Sequence, residues 1–273
     1  MKTNKYRTIM ISDIENDMVG KEIIVSGWVQ NIRDHGGVLF LDLRDTSGVL
    51  QTVSNDDSIF KGLAKETVIR LKGILRKRDE DTINKKIKSG EVELLISELD
   101  VLGESLHELP FEIMSSKQVS EDVRLKYRYL DMRNDKVKDN ILLRSEILHF
   151  LRNKMYDLSF TEVQTPILTA SSPEGARDFV VPSRNFKGKF YALPQAPQIY
   201  KELLMVGGID KYFQVAPCFR DEDARSDRTL EFYQLDLEMN FVTEEEVLLL
   251  GEEIFHSVFT KYSDKKVSPK PFR

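Results

Sequence analysis

Between residues 21 and 102, apolar and polar positions alternate with the two-residue period of half-buried strands. Ile23, Val25, Gly27 and Val29 alternate with Ile24, Ser26 and Trp28, and the run Asp34-His35-Gly36-Gly37 marks a turn. An apolar strand from Val38 to Leu43 follows, a second turn ends at Gly48, and Val49 to Val53 makes a third strand. Ser58 to Glu66 reads as a short helix with Ile59, Phe60 and Leu63 on one side. Val68 to Leu75 and Val92 to Leu102 complete five short strands, a pattern that predicts a small closed barrel.

A helix between the third and fourth strands is the arrangement of the oligonucleotide-binding (OB) barrel. Residues 103–119 break the periodicity with Gly103, Pro110 and several serines, so 104–134 is expected to be a linker or hinge. Ser120 can cap a helix running to about Leu130. Asp135 can cap a longer one, in which Leu143, Ile147, Leu151 and Met155 recur at helical spacing as a core or dimer-packing stripe. Strands are expected near Phe160 to Gln164 and Phe190 to Leu193, and a helix near Gln198 to Met205. Two long strands, Tyr212 to Arg220 and Glu231 to Phe241, flank a charged loop, and Thr243 with Glu246 forms a capping box for a last helix. The fold class is therefore α+β, with a barrel domain over 1–103 and a second domain over 135–273.

Composition narrows this picture. The 273 residues carry 41% hydrophobic and 31% charged side chains and a net charge of −5, a balance suited to a globular protein with a sizeable core. No apolar run approaches the ~18 residues of a membrane helix, and the first ten residues lack a secretory apolar core. One cysteine, Cys218, excludes an intrachain disulfide, and four scattered histidines give no zinc-ligand spacing. A cytoplasmic setting is expected, with no membrane partner and no protein-bound metal site. The acidic total conceals a local excess: residues 70–88 hold eight basic and three acidic side chains, either a phosphate track or a solvated hairpin.

The hairpin around residues 219–236 is the densest chemistry in the chain. On the returning strand, Phe232, Gln234, Asp236 and Glu238 share one face. Arg220, near the end of the first strand, can then stand by an aromatic platform and a carboxylate. A guanidinium suits bidentate contact with phosphate or carboxylate, and an aromatic face suits a stacked base. The alternative is a solvent-exposed hairpin with charges of both signs.

Phe219-Arg220-Asp221-Glu222, followed by Arg228 and Glu231-Phe232, resembles motif 2 of the class II aminoacyl-tRNA synthetases. Phe160-Thr161-Glu162-Val163-Gln164-Thr165-Pro166 resembles their motif 1. More narrowly, the chain resembles the bacterial-type aspartyl-tRNA synthetases in several blocks. These are Ser172-Pro173-Glu174-Gly175-Ala176-Arg177-Asp178-Phe179, Tyr191-Ala192-Leu193-Pro194-Gln195-Ala196-Pro197-Gln198 and Arg128-Tyr129-Leu130-Asp131-Met132-Arg133. In the first domain, Gly27-Trp28-Val29, Arg33-Asp34-His35-Gly36-Gly37 and Asp42-Leu43-Arg44-Asp45 are similar to that family's anticodon-binding OB domain.

The resemblance implies an ATP-dependent aspartate–tRNA ligase. Aspartate attacks the α-phosphate of ATP, with Mg2+ neutralising the phosphates, and the aspartyl group passes to the terminal adenosine of the tRNA for aspartate. The tRNA for asparagine is a second candidate, with His35 the position to examine. The resemblance also implies residue roles. Arg220 contacts the α-phosphate and amino-acid carboxylate, Glu222 lies near adenine, Phe232 stacks on it, and Arg228 lies near the γ-phosphate or the acceptor end. Lys201 pairs with the substrate's side-chain carboxylate, and Asp236 faces its ammonium group. Gln198 and Gln234 orient the amino acid, and Glu174 closes over it. In the barrel, Arg33, Phe40 and Gln51 contact the anticodon, although Phe40 can equally be read as barrel core. Motif 1 implies a homodimer. The family's third motif and its insertion domain are absent from these 273 residues. The chain therefore reads as the first part of such an enzyme, expected to have little activity alone. The other reading is a non-catalytic fragment that binds a tRNA anticodon.

Overall fold

Strands β1 (Glu22–His35), β2 (Val38–Arg44), β3 (Val49–Ser54), β4 (Val68–Lys77) and β5 (Val92–Gly103) close into a barrel in the order β1-β2-β3-β5-β4. This is a computed structural model. It describes residues 4–35, 38–54, 56–172, 174–223 and 225–271, without the side chains of His35 and Asp57. Gly36, Gly37 and Pro173 of the sequence blocks, and Ala224 of the charged loop, lie outside the described residues, as does the side chain of His35.

The alternation along the strands decides what fills the barrel. Val25, Val29, Leu41, Leu43, Leu50, Ile69 and Leu71 are fully buried, each contributing roughly 1.5–3 kcal/mol of burial. Phe40, between Leu39 and Leu41, points away from this core. Gly27 is required where β1 approaches β2, because a Cβ there would stand 2.2 Å from the Arg44 carbonyl oxygen. The helix expected over Ser58 to Glu66 is a single 3-10 turn, Asp57–Phe60, capped by Asp56. Gly62 and Glu66 adopt positive φ and end any longer helix, while Phe60 still reaches the core.

Contacts divide the chain into two units, Met1–Asp135 and Lys136–Arg273. The 104–134 stretch groups with the barrel and carries its own small core of Phe111, Ile113 and Leu130. The helix expected from Ser120 breaks at Tyr127 into α1 (Glu121–Lys126) and α2 (Arg128–Asp131). Asp131, fully buried, accepts from Ser116, Arg124 and Arg128. Arg133 Nη1 reaches Glu66 at 2.6 Å, and Arg44 holds both oxygens of Glu66 at 2.7 Å. Both guanidiniums lie over Trp28, at 4.8 and 5.8 Å. Trp28, Arg44 and Arg133, taken from three of the sequence blocks, thus form one structural cluster.

The unit boundary falls at the start of α3 (Asp135–Asp157), which begins at Asp135 itself, so that residue is the first helical position and not the cap. The motif 1 strand shrinks to β6 (Thr161–Glu162), which runs parallel to a longer strand described next. β7 (Val180–Pro182) and β8 (Phe190–Ala192) pair as a small hairpin, and α4 (Gln198–Val206) follows. β9 (Lys211–Phe219) and β10 (Glu231–Met239) form the central antiparallel pair, in a sheet ordered β10-β9-β6. α5 (Glu244–Tyr262) starts at the expected Thr243–Glu246 capping box. One sheet face is apolar: Phe213, Leu235 and Leu237 pack with Met155 of α3 and Ile254 of α5. Of the α3 stripe only Met155 is fully buried, and Leu143 is exposed together with Ile141 and Leu142.

Candidate functional site

The β9–β10 register sets the opposite sheet face. Phe232 pairs with Cys218, Gln234 with Ala216, Asp236 with Gln214 and Glu238 with Tyr212. Residues directly opposed in an antiparallel pair project from the same side, so these eight share one surface. Lys201 of α4 meets it: its Nζ lies 3.0 Å from Asp236 Oδ1 and 3.3 Å from Glu238 Oε2. Lys201 and Asp236 are both mostly shielded, with side chains 12% and 11% exposed. Burial works against charge on Lys201, but the two carboxylates outweigh it and raise its pKa. Burial also raises the pKa of Asp236, with Lys201 opposing the shift. The other oxygen of Asp236, Oδ2, and Oε1 of Glu174 are buried and accept no hydrogen bond in this geometry, although the Tyr212 hydroxyl, which donates to Gln214, also acts on Asp236 as a hydrogen-bonding neighbour. Both carboxylates act on the Cys218 thiol, which burial pushes up to about 11 against the pull of Arg220, so both belong to this end of the sheet. An unmet buried carboxylate oxygen is costly unless a donor arrives, and an ammonium group supplies three.

Arg220 does not pair with Asp236. Its guanidinium lies 5.1 Å from the Phe232 ring centre, and its Nε donates to the Gln195 carbonyl at 3.4 Å. Arg220, Glu222, Arg228 and Phe232 line one cleft of about 380 Å3 with Asp227 and Thr229. Arg228 Nη1 stands 3.4 Å from Glu222 Oε2 at its rim. A stacked guanidinium with open donors, an aromatic face and a second arginine suit a nucleotide with its phosphates.

Most of the sequence-derived positions therefore converge. Gln234 lies between Phe232 and Asp236 on that face, with its Oε1 3.4 Å from Cys218 Sγ. Gln198 does not join them in the structure; its amide donates to Glu202 one turn along α4. Two residues at the site escaped the sequence reading. Tyr212, fully buried, donates to Gln214 Oε1 at 2.8 Å, and burial followed by the Asp236 charge raises its pKa. Gln195, 2% exposed, binds the Glu174 loop. Neither could be found from spacing, since each depends on which segment lies opposite.

In the barrel, Arg33, Phe40 and Gln51 line one cavity of about 600 Å3 with Gln30, Arg78 and Lys86. Arg33 Nη2 lies 2.7 Å from Asp42 Oδ1 and 3.3 Å from Gln51 Oε1, and Gln51 Nε2 donates to Glu93 at 2.7 Å. Arg78 Nε is buried without a partner in the structure. The basic excess of residues 70–88 is not one continuous track. Arg70 pairs with Asp100, Lys72 with Glu22 and Glu98, and Arg76 with Glu93, while Arg78 and Lys86 turn to the cavity.

A closed five-stranded barrel of OB topology, joined in sequence to a motif 2 hairpin whose arginine, aromatic and aspartate are met by a lysine from α4, defines a class II synthetase. The chain belongs to the tRNA synthetases class II (D, K and N), a family that matches residues 120–273, and residues 23–102 match the OB-fold nucleic acid binding domain. It is 52% identical to the "Aspartate--tRNA(Asp/Asn) ligase" of Pelagibacter ubique over 98% of this chain and 46% of that protein. It is 50% identical to the protein of the same name from Ehrlichia ruminantium (strain Welgevonden), over 97% of this chain and 46% of the relative. The chain thus spans about half the length of the curated relatives it matches. A solved putative aspartyl-tRNA synthetase from Leishmania major superposes with a TM-score of 0.84 at 25% identity, over 95% of this chain and 53% of that one. Among the described residues, no helix is long and apolar enough to cross a membrane.

Proposed function

We infer that this chain is the barrel and motif 2 part of an aspartate–tRNA ligase that activates L-aspartate with ATP and transfers it to the tRNA for aspartate. The observation that carries the reading is the shielded Lys201–Asp236 pair with one buried Asp236 oxygen unfilled. A dicarboxylate with one ammonium group matches it. The ammonium takes Asp236 Oδ2 and Glu174 Oε1, the side-chain carboxylate takes Lys201, and the reacting carboxylate lies by Arg220. Phe232 stacks adenine, Glu222 lies by it, Gln234 orients the amino acid, and Arg228 meets the terminal phosphate or the acceptor end. With Gln198 bonded to Glu202, its part is to turn toward the amino acid when substrate binds.

The reacting carboxylate oxygen attacks the α-phosphorus and pyrophosphate leaves. The terminal adenosine hydroxyl then attacks the carbonyl carbon and AMP leaves. The side chains act by position and charge: Arg220 offsets the charge that builds on the α-phosphate. No group of three or more His, Cys, Asp or Glu side chains among the described residues is set to hold a metal. Mg2+ held chiefly by the phosphates of ATP fits such a surface. Arg33, Phe40 and Gln51 read the anticodon, Phe40 by stacking on an unpaired base. The protein is cytoplasmic and a homodimer through the motif 1 segment, with the exposed apolar residues Ile141, Leu142 and Leu143 of α3 beside it in sequence.

Amino-acid-dependent ATP–pyrophosphate exchange on the full-length protein, with aspartate, asparagine and lysine in turn, tests this. Aspartate alone is expected to support exchange; preference for either rival overturns the reading. Charging of purified tRNAs for aspartate and asparagine then settles how far the relatives' shared name applies.

A further inference from the structure

Gln195 is an uncharged side chain, 2% exposed, whose side-chain hydrogen bonds all go to one loop. Its Nε2 donates to the carbonyl oxygens of Ser172 at 3.3 Å and Ala176 at 3.0 Å, and to Asp178 Oδ1. Its Oε1 accepts from the Ala176 amide at 3.2 Å. Ser171 donates to the other oxygen of Asp178. One carboxamide therefore ties both flanks of a turn whose tip carries Glu174 and Gly175, the latter at φ +101°. Among the described residues, Oε1 of the Glu174 carboxylate at that tip is buried and unpartnered. The main-chain carbonyl of Gln195 accepts from Arg220 Nε at 3.4 Å, and the Asp221 amide donates to Arg177 at 3.0 Å. The loop is thus fastened to the start of the motif 2 loop from two sides.

We propose that Gln195 is a positioning residue for amino-acid activation: its carboxamide sets the Glu174 loop in the form that presents the Glu174 carboxylate to the substrate ammonium. This rests on the proposed aspartate chemistry and adds a residue that touches no substrate. A carboxamide is required because the pinned atoms need donors and an acceptor at one point. A carboxylate of the same size would face two carbonyls and Asp178 and repel them. The backbone carbonyl beneath Arg220 survives any substitution, so the nucleotide side of the site is left in place.

The test is ATP–pyrophosphate exchange on the full-length protein, wild type against Q195E and Q195M, with aspartate and ATP varied separately. Both variants are expected to raise KM for aspartate about tenfold or more, with KM for ATP within about twofold of wild type. The Q195E defect, taken as a ratio to wild type, is expected to shrink from about pH 8 to about pH 6. The introduced carboxyl is pushed up by its acceptor neighbours, protonates on acidification and regains a donor. Q195M, with nothing to protonate, keeps its defect at every pH. Unchanged KM for aspartate, equal rises in both KM values, or loss of folding by circular dichroism in both variants makes Gln195 an ordinary packing residue and overturns the proposal. A wild-type protein that shows no aspartate-dependent exchange removes the functional reading, and this proposal with it.

Discussion

Arg220 sits where a guanidinium can do most: over the Phe232 ring, hydrogen-bonded among the described residues to one carbonyl, and facing a cleft lined by a second arginine. Arg220→Ala in the full-length protein is expected to lower aspartate-dependent exchange about 100-fold or more, while tRNA affinity in a filter-binding assay stays near wild type. A normal exchange rate rules the role out. Asp236 carries a pH prediction. Burial raises its pKa, so its anion is lost earlier on acidification than that of an ordinary carboxylate. KM for aspartate should therefore climb as pH falls, and Asp236→Asn should show high KM at every pH. A wild-type profile that stays flat into the acid range contradicts the ammonium contact. Arg220, Phe232 and Asp236 could be read from sequence because strand periodicity puts alternate residues on one face. Lys201's pairing with Asp236 and Glu238 could not, since α4 arrives from elsewhere in the chain.

At the scale of elements, α3 and α5 are tied by Lys154 and Glu253, which also holds Lys270. Those two ammonium groups hold the Glu253 carboxyl below its usual 4.5, at about 2. A depressed folded-state pKa adds stability that is present above the unfolded value and fades as pH falls through the folded one. The melting temperature of wild type should exceed that of Glu253→Gln at neutral pH, and the gap should close between about pH 4.5 and about pH 2. A gap that persists below that range assigns the effect to packing. On α3, Ile141, Leu142 and Leu143 lie exposed in the first turns, and of the three only Leu143 belongs to the apolar stripe that the periodicity marks. In the proposed dimer they meet a second copy, and Leu142→Asp should shift sedimentation toward monomer. A full-length wild type that sediments as monomer at all concentrations retires the dimer. Element positions were largely legible. The exceptions, the 3-10 turn at Asp57–Phe60 and the break at Tyr127, arise where backbone conformation and packing override a short apolar pattern.

For the whole molecule, the division into two units, each with its own core, predicts separable effects. Phe40→Ala should weaken tRNA binding about tenfold or more, from a lost stacked base, and leave exchange unchanged. Combined with Arg220→Ala, the two defects should add independently, as for sites that share no partner. Strong non-additivity in a double-mutant cycle contradicts separate roles. By itself the sequence determined the two-domain order, the barrel, the hairpin face and the family, because these follow from local periodicity and from contiguous blocks of residues. Only the tertiary structure decided which residues act together. It brought Lys201 to Asp236, fastened the Glu174 loop to Gln195, turned Arg78 and Lys86 to the barrel cavity, and bound Trp28, Arg44 and Arg133 into a structural cluster. Such pairings join segments far apart in the chain. Burial, which sets both their strength and their unmet hydrogen bonds, exists only once those segments have packed.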